Sequence, residues 1–188
     1  PRKMAYNTLV MVRDPHLEVS HGDYIRLRGR VEDLFTGENL LGGVVTAPLI
    51  LATWVEVLDY IRVMAPTLVE VPVHETQEQH GYVLTVERLE LAEEETRVYV
   101  PVENRSDDII TFFAFNAKAV QGQNQLDGGQ FNFHADYPEI QSEILPGVKS
   151  SGIVLFPPFD PEAGQVQLRF EGGSDDWSLN FSPFIFEV

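Results

Sequence analysis

Paired acidic residues in turn-like segments are the first candidates for chemistry in this sequence. One pair follows Asn104-Arg105-Ser106 and the other follows Gly172-Gly173-Ser174. Calcium prefers about six to eight oxygen ligands, many of them from loops, so these turns offer ligands of the right type. The ladder of alternating acids that marks an EF-hand loop is absent, and polar turn chemistry is the simpler interpretation. At most a weak calcium site is expected, at Asp107, Asp108, Asp175 and Asp176.

Other catalytic or metal-binding signatures are missing from the sequence. Cysteine is absent, which excludes disulfides, thiol catalysis, zinc ribbons and iron–sulfur clusters. There is no Gly-x-Ser-x-Gly elbow around Ser150-Ser151-Gly152, and the Gly-Gly pairs fit turns better than phosphate loops. The histidines show no metal-ligand spacing and are interpreted as surface residues: His16, His21, His74, His80 and His134. No catalytic residue, metal or cofactor is therefore expected.

Aromatic residues concentrate in one stretch of the second half of the chain: Phe112, Phe113, Phe115, Phe131, Phe133 and Tyr137. Such a group most often belongs to a core. Neighbouring residues of a strand point to opposite faces, however, so some of these rings are candidates for an exposed platform that binds a sugar or a peptide. The platform candidates are Phe113, Phe115, Phe131 and Phe133.

Composition limits the partners that this chain accepts. Its 29 acidic and 13 basic residues give a net charge of −16, which disfavours nucleic acid and anionic membranes. With 188 residues, 44% of them hydrophobic, it is long enough for one large or two small domains. No apolar run is long enough to cross a bilayer. The chain begins at Pro1 without an initiator Met, so we expect a processed piece of a longer protein.

The elements that must position these residues are predominantly strands. In residues 1–65, Ile25 and Leu27 alternate with Arg26, Arg28 and Arg30, which indicates a half-buried strand. Three strands are predicted in this region: Thr8–Val12, Asp23–Val31 and Pro48–Leu58.

Residues 67–188 show strands at short spacing, separated by turn residues. The predicted strands are Gly81–Leu91, Thr96–Asn104, Ile109–Val120, Gln130–His134, Ser151–Phe156, Gln165–Phe170 and Trp177–Val188. This pattern is typical of an antiparallel β-sandwich.

Within Thr96–Asn104 the period of two places Val98, Val100 and Val102 in the core. Arg97 and Glu103 then face solvent, where substitutions cost little. Pro101 lacks a ladder donor, so an edge strand or a bulge is expected there.

Three segments of the second region carry a resemblance to known proteins: Tyr82–Glu90, Thr96–Ser106, and Ile144-Leu145-Pro146-Gly147 leading to Gly152–Phe156. Through them the region resembles a bacterial family of immunoglobulin-like domains of unknown function, related to a mycobacterial secreted immunoprotective antigen. It implies a location outside the cytoplasm, in a secreted protein or lipoprotein, and it supplies no catalytic residues.

Residues 1–65 resemble part of an OB barrel through Gly22–Val31 and Pro48–Ala52. An OB barrel has about five strands, so this region is either an incomplete barrel or a smaller sheet. The predicted fold is therefore all-β: an immunoglobulin-like antiparallel sandwich at 67–188, preceded by a small OB-like module at 1–65.

Three classes of function follow. The first is a non-catalytic binding or scaffolding protein of the cell envelope, with a protein or carbohydrate partner. The second is an OB-type binder of oligonucleotides or oligosaccharides acting through residues 1–65, where Arg26, Arg28 and Arg30 line one face of a strand, although the acidic chain disfavours nucleic acid. The third is an enzyme whose carboxylates are brought together only by folding. The sequence favours the first.

Overall fold

The computed structural model describes residues 7–133 and 135–188, and its regular structure is almost entirely β-strand. The chain divides into two compact units, the first ending at Asp59 and the second beginning at Tyr60. This division falls a few residues before the predicted one at 65–67. The reason is local: the Tyr60 hydroxyl accepts a hydrogen bond from Asn132 Nδ2 at 3.0 Å, and its ring lies edge-on to Tyr137.

The described part of the first unit is a long antiparallel hairpin with one short strand beside it. The strands are β1 (Leu9–Met11), β2 (Tyr24–Glu38) and β3 (Val44–Leu58), in the order β1-β3-β2, with β1 parallel to β3. The three predicted strands are present, but β2 and β3 extend beyond their predicted ends. In residues 7–59 these three strands form an open sheet, whereas an OB barrel needs about five.

The second unit contains one short helix and eleven strands among its described residues. They are α1 (Tyr60–Val63), β4 (Val69–Gln79), β5 (Tyr82–Leu91), β6 (Thr96–Asn104), β7 (Ile110–Phe112), β8 (Lys118–Gln121), β9 (Asn124–Asp127), β10 (Glu143–Ile144), β11 (Lys149–Phe156), β12 (Val166–Phe170), β13 (Gly172–Ser174) and β14 (Phe184–Glu187).

These strands form three antiparallel sheets around one core. Two are four-stranded, with the orders β11-β6-β5-β4 and β14-β12-β8-β9, and the third is the three-stranded β10-β7-β13. Alternate residues of the facing strands are buried in one common core, for example Leu84 and Val100 from one sheet and Leu168 and Phe186 from the other. The prediction of an all-β antiparallel sandwich is confirmed, and its assignment to the immunoglobulin-like class stays a prediction.

The prediction for strand β6 is correct for one face of the strand and wrong for the other. Val98, Val100 and Val102 are fully buried, as predicted. The predicted edge position is wrong, because β6 pairs with β5 on one side and with β11 on the other. The alternative, an irregularity at Pro101, is present: the β5–β6 register shifts by one residue opposite Pro101. Arg97, expected in solvent, is also fully buried.

Two predicted strands are absent or broken. Ile109–Val120 is interrupted by a 3-10 turn at Ala114–Asn116, and Gln130–Phe133 lies in an irregular connection. His134, the last residue of that predicted strand, lies outside the described residues. Of Trp177–Val188, only the segment that becomes β14 is a strand. Residues of the 3-10 turn and of this irregular connection line the candidate site described below.

Candidate functional site

A long irregular connection between β9 and β10 forms one side of the candidate site. It runs from Gly128 to Ser142, which exceeds the usual connection length, and such segments are often functional. The Ile153 backbone N–H of β11 donates to the Pro138 carbonyl at 2.9 Å. A Cβ on Gly152 would lie 2.6 Å from that same oxygen, so only glycine lets the connection lie this close to β11.

A cavity of about 410 Å³ opens between this connection, the edge of β11 and the 3-10 turn. Its floor is aliphatic, with Ile140, Ile153 and Leu155 among the lining residues. Aromatic rings line it as well: Phe112, Phe115, Phe131, Phe133 and Tyr137. The volume falls within the range of small-molecule sites, about 300–1,000 Å³.

Three of the four predicted platform residues lie at this cavity. Phe115, Phe131 and Phe133 are 68%, 71% and 92% exposed, which is unusual for phenylalanine. The rings of Phe131 and Phe133 stack with their centroids 6.1 Å apart and their planes inclined by 21°. Phe113 does not line the cavity, and its ring meets that of Phe115 edge-on at 6.1 Å.

A buried ionic cluster in the same unit was missed by the sequence analysis. The Arg97 guanidinium is completely buried and lies 3.1 Å from Glu90 Oε2 and 2.8 Å from Glu95 Oε1. It also donates to the Ala65 carbonyl at 2.9 Å and to Thr67 Oγ1 at 2.9 Å. This arrangement satisfies a buried charge with two carboxylates and two neutral acceptors, as such a charge requires.

The cluster holds the irregular connection through Glu95. Asn132 Nδ2 donates to Glu95 Oε2 at 3.2 Å, and the Tyr137 hydroxyl donates to Glu95 Oε1. Burial, together with this hydrogen bond, raises the pKa of Tyr137, so its hydroxyl stays a donor at neutral pH. Asn132 lies between Phe131 and Phe133 in the sequence. Its hydrogen bond to Glu95 therefore fixes the backbone segment that carries both exposed rings.

Glu90 makes the stability of this cluster depend on pH. Burial raises the pKa of its carboxyl, but hydrogen bonds and a nearby cation outweigh burial and bring the pKa below its usual range; they come from Thr67, Tyr99, Arg88 and Arg97. A group whose pKa is lowered by folding stabilises the protein above its unfolded pKa, here about 4.3, and loses that contribution as the pH falls through its folded pKa.

We therefore expect Glu90→Gln to melt below the wild type at pH 7, with a difference that shrinks below about pH 4.3. Thermal melts followed by circular dichroism between pH 3 and 7 measure it. Glu162→Gln, at an exposed position, is the control and should follow the wild type throughout. A Glu90→Gln difference that stays constant over this range would contradict the ion-pair geometry.

The acidic calcium candidates take part in turns. The Asp176 carboxylate accepts the Ser178 backbone N–H at 2.9 Å, and hydrogen bonds from Ser178 lower the pKa of Asp176. The Asp175 backbone N–H donates to the Ile109 carbonyl, and the Asp108 carbonyl accepts from Asn104 Nδ2 at 2.7 Å. Asp107 is exposed. Among residues 7–133 and 135–188, no three side chains of His, Cys, Asp or Glu form a group suited to a metal ion.

The arginines of the OB-type hypothesis have partners on their own sheet. Arg26 Nη1 lies 3.6 Å from Glu56 Oε2, and Arg30 forms an ion pair with Glu32 at 2.6 Å. The Arg28 guanidinium lies 5.8 Å from the centre of the Trp54 ring. The four described histidines are exposed, as expected for surface residues: His16, His21, His74 and His80.

Comparisons with known proteins found similarity among solved structures alone. No protein-family model matches it, and neither does any curated protein. Among solved structures it is similar to a functionally unknown protein from Listeria monocytogenes EGD-e, with a TM-score of 0.49 and 10% identity, over 66% of this chain and 86% of that chain. In the described ranges, no helix has the length and hydropathy needed to cross a membrane.

Proposed function

We propose that this chain is a non-catalytic binding protein of the bacterial cell envelope, and that it binds its ligand in the cavity beside β11. The observation that carries the proposal is a preformed, mostly apolar cavity whose rim presents three exposed phenylalanine rings, Phe115, Phe131 and Phe133. Exposed aromatic rings beside an apolar cavity are costly in water and are typical of binding sites.

The polar groups near the cavity favour binding over catalysis. Glu95, which lies beneath the connection, is engaged by Arg97, Tyr137 and Asn132, so its carboxylate is occupied. Hydrolysis by paired carboxylates requires two acidic groups that face the same free space. Glu139 is the one carboxylate among the described residues that line the cavity.

The location outside the cytoplasm rests on a separate argument, namely the resemblance of residues 67–188 to secreted immunoglobulin-like domains. The partners that remain in keeping with an acidic surface are small molecules, carbohydrates and proteins, because phosphate backbones are repelled.

A neutral aromatic probe tests the proposed cavity. At about 0.3 kcal/mol per non-hydrogen atom, 3-phenylpropan-1-ol should bind with a Kd in the millimolar range, measured by chemical-shift titration of the full chain. Ser142→Trp places a large side chain at the exposed rim of the cavity and should weaken binding about tenfold or more.

The control is Gln123→Trp, which adds the same side chain to the exposed turn between β8 and β9, away from the cavity lining. It should leave the Kd unchanged, and both variants should keep the wild-type melting temperature. A wild type that does not bind the probe, or a Ser142→Trp variant that binds it equally well, would overturn the proposed site.

A further inference from the structure

We infer that the ligand of this cavity is a small organic cation: an ammonium group carried on an aromatic or aliphatic body. This inference rests on the proposed function and deepens it by naming the class of ligand. Three features of the cavity carry it, namely the aromatic rim, the sign of the charges around it and the apolar floor.

The aromatic rim supplies the first argument. Phe115, Phe131, Phe133 and Tyr137 all line the cavity, and the first three are largely exposed. The face of an aromatic ring carries negative electrostatic potential and attracts a cation placed within about 6 Å of the ring centre. Several rings around one space are the arrangement by which proteins bind quaternary and alkyl ammonium groups. The anchoring of Asn132 and Tyr137 on Glu95 fixes the connection that carries Phe131, Phe133 and Tyr137 before any ligand arrives.

The charges around the cavity supply the second argument. Glu139 is the one charged residue among its described lining residues, which include no lysine or arginine. A neighbouring cavity of about 340 Å³ shares the lining residues Phe131, Asn132 and Phe133. Glu94, a second acidic residue, also lines this neighbouring cavity. The whole second unit is acidic, since residues 60–188 carry 21 of the 29 Asp and Glu residues but seven of the 13 Lys and Arg residues.

Arg97 does not reverse this electrostatic preference. Its guanidinium is fully buried and is engaged by Glu90 and Glu95, so it offers the cavity no accessible positive charge. Among the described lining residues, an anionic ligand would therefore meet a carboxylate and no accessible cation, whereas a cationic ligand is attracted by both the surface potential and Glu139.

The apolar floor supplies the third argument and limits the size of the ligand. Ile140, Ile153 and Leu155 offer aliphatic surface to the ligand body, so a bare inorganic cation has little to contact there. A cavity of about 410 Å³ is near the lower end of the range for small-molecule sites, which favours a compact ligand with one apolar group.

Three probes that share one skeleton test the charge preference: 3-phenylpropylamine, 3-phenylpropan-1-ol and 3-phenylpropionate, titrated into the full chain at pH 7. We expect the ammonium compound to bind about five- to tenfold more tightly than the alcohol, and the carboxylate more weakly than either. Raising the salt concentration should reduce the advantage of the ammonium compound and leave the alcohol unaffected.

Variants then assign the preference to particular residues. Glu139→Gln should lower the affinity for the ammonium compound several-fold and that for the alcohol by much less, while Glu162→Gln, at an exposed position outside the cavity lining, should change neither. Phe133→Leu should weaken binding of the ammonium compound about two- to fivefold, because it removes a ring face and keeps an apolar side chain.

The outcomes separate this inference from the proposed function. If the alcohol or the carboxylate binds as tightly as the ammonium compound, and Ser142→Trp still blocks binding, the cation preference is overturned and the cavity stands as the binding site. If none of the three probes binds, or Ser142→Trp has no effect on any of them, both proposals fail.

Discussion

Replacing Val100 with Asp should abolish cooperative folding of the second unit. Val100 is completely buried in the core between the two four-stranded sheets. An unpaired carboxylate there costs several kcal/mol, in addition to the packing that is lost. Domains of this size are stable by only about 5–15 kcal/mol, so one such charge removes much or all of that stability.

Urea denaturation of the full chain, followed by circular dichroism, measures the effect. The matched control is Val120→Asp on β8, where the valine is 39% exposed and the new charge reaches water. That variant should differ from the wild type by about half a kcal/mol or less. A Val100→Asp protein with the stability of the wild type would mean that the two sheets do not share the core described above.

The same strand shows what alternation in a sequence predicts and what it does not. Alternation identified Val98, Val100 and Val102 as one face, and that face is the core. It also placed Arg97 on the opposite face, which is correct, but that face was expected in solvent. A period of two states which residues share a face, and it carries no information on what covers that face. Here, residues distant in sequence, among them Ala65 and Tyr137, cover Arg97.

Strand boundaries were predictable where turn residues mark them. Tyr82–Leu91 and Lys149–Phe156 match their predictions within two residues, because glycine and proline turns flank them. Ile109–Val120 contains neither glycine nor proline, and a single asparagine, Asn116, was not enough to predict the interruption at Ala114–Asn116. Tertiary packing accompanies the interruption, since a Cβ on Gly129 would lie 2.4 Å from the Ala114 carbonyl oxygen.

The candidate site was predictable in its aromatic part and hidden in its polar part. Phe115, Phe131 and Phe133 were selected because neighbouring residues of a strand point to opposite faces, so some rings of the aromatic group were expected outside the core. The partners that position them, Glu95 and Tyr137, are 42 residues apart in the chain. Nothing in one sequence links a glutamate of an acidic run to a distant tyrosine, so this anchor appears only in three dimensions.

Arg97→Met should be the most destabilising change outside the apolar core. The substitution keeps much of the side-chain volume but leaves Glu90 and Glu95, which are 8% and 9% exposed, without their shared cation. Removing one partner of a buried ion pair costs about 3–5 kcal/mol when the remaining charge is left without compensation. Glu90 keeps a second cation, Arg88 at 3.2 Å, so the cost here falls mainly on Glu95. Arg169→Met is the control, since Arg169 forms an exposed pair with Glu171 at 3.2 Å and should cost about 1 kcal/mol or less.

A triple variant separates the lost charge balance from lost packing. Adding Glu90→Gln and Glu95→Gln to Arg97→Met removes the two carboxylates that shared the lost cation, so urea denaturation should show a stability nearer to the wild type than that of Arg97→Met alone. If the triple variant is less stable than Arg97→Met, the cost arises from packing instead.

Arg97→Met should also weaken binding of 3-phenylpropylamine, because Glu95 then loses the partner that fixes its carboxylate, to which Asn132 and Tyr137 donate hydrogen bonds. Unchanged binding in a folded Arg97→Met protein would show that the rings keep their positions without the ionic cluster.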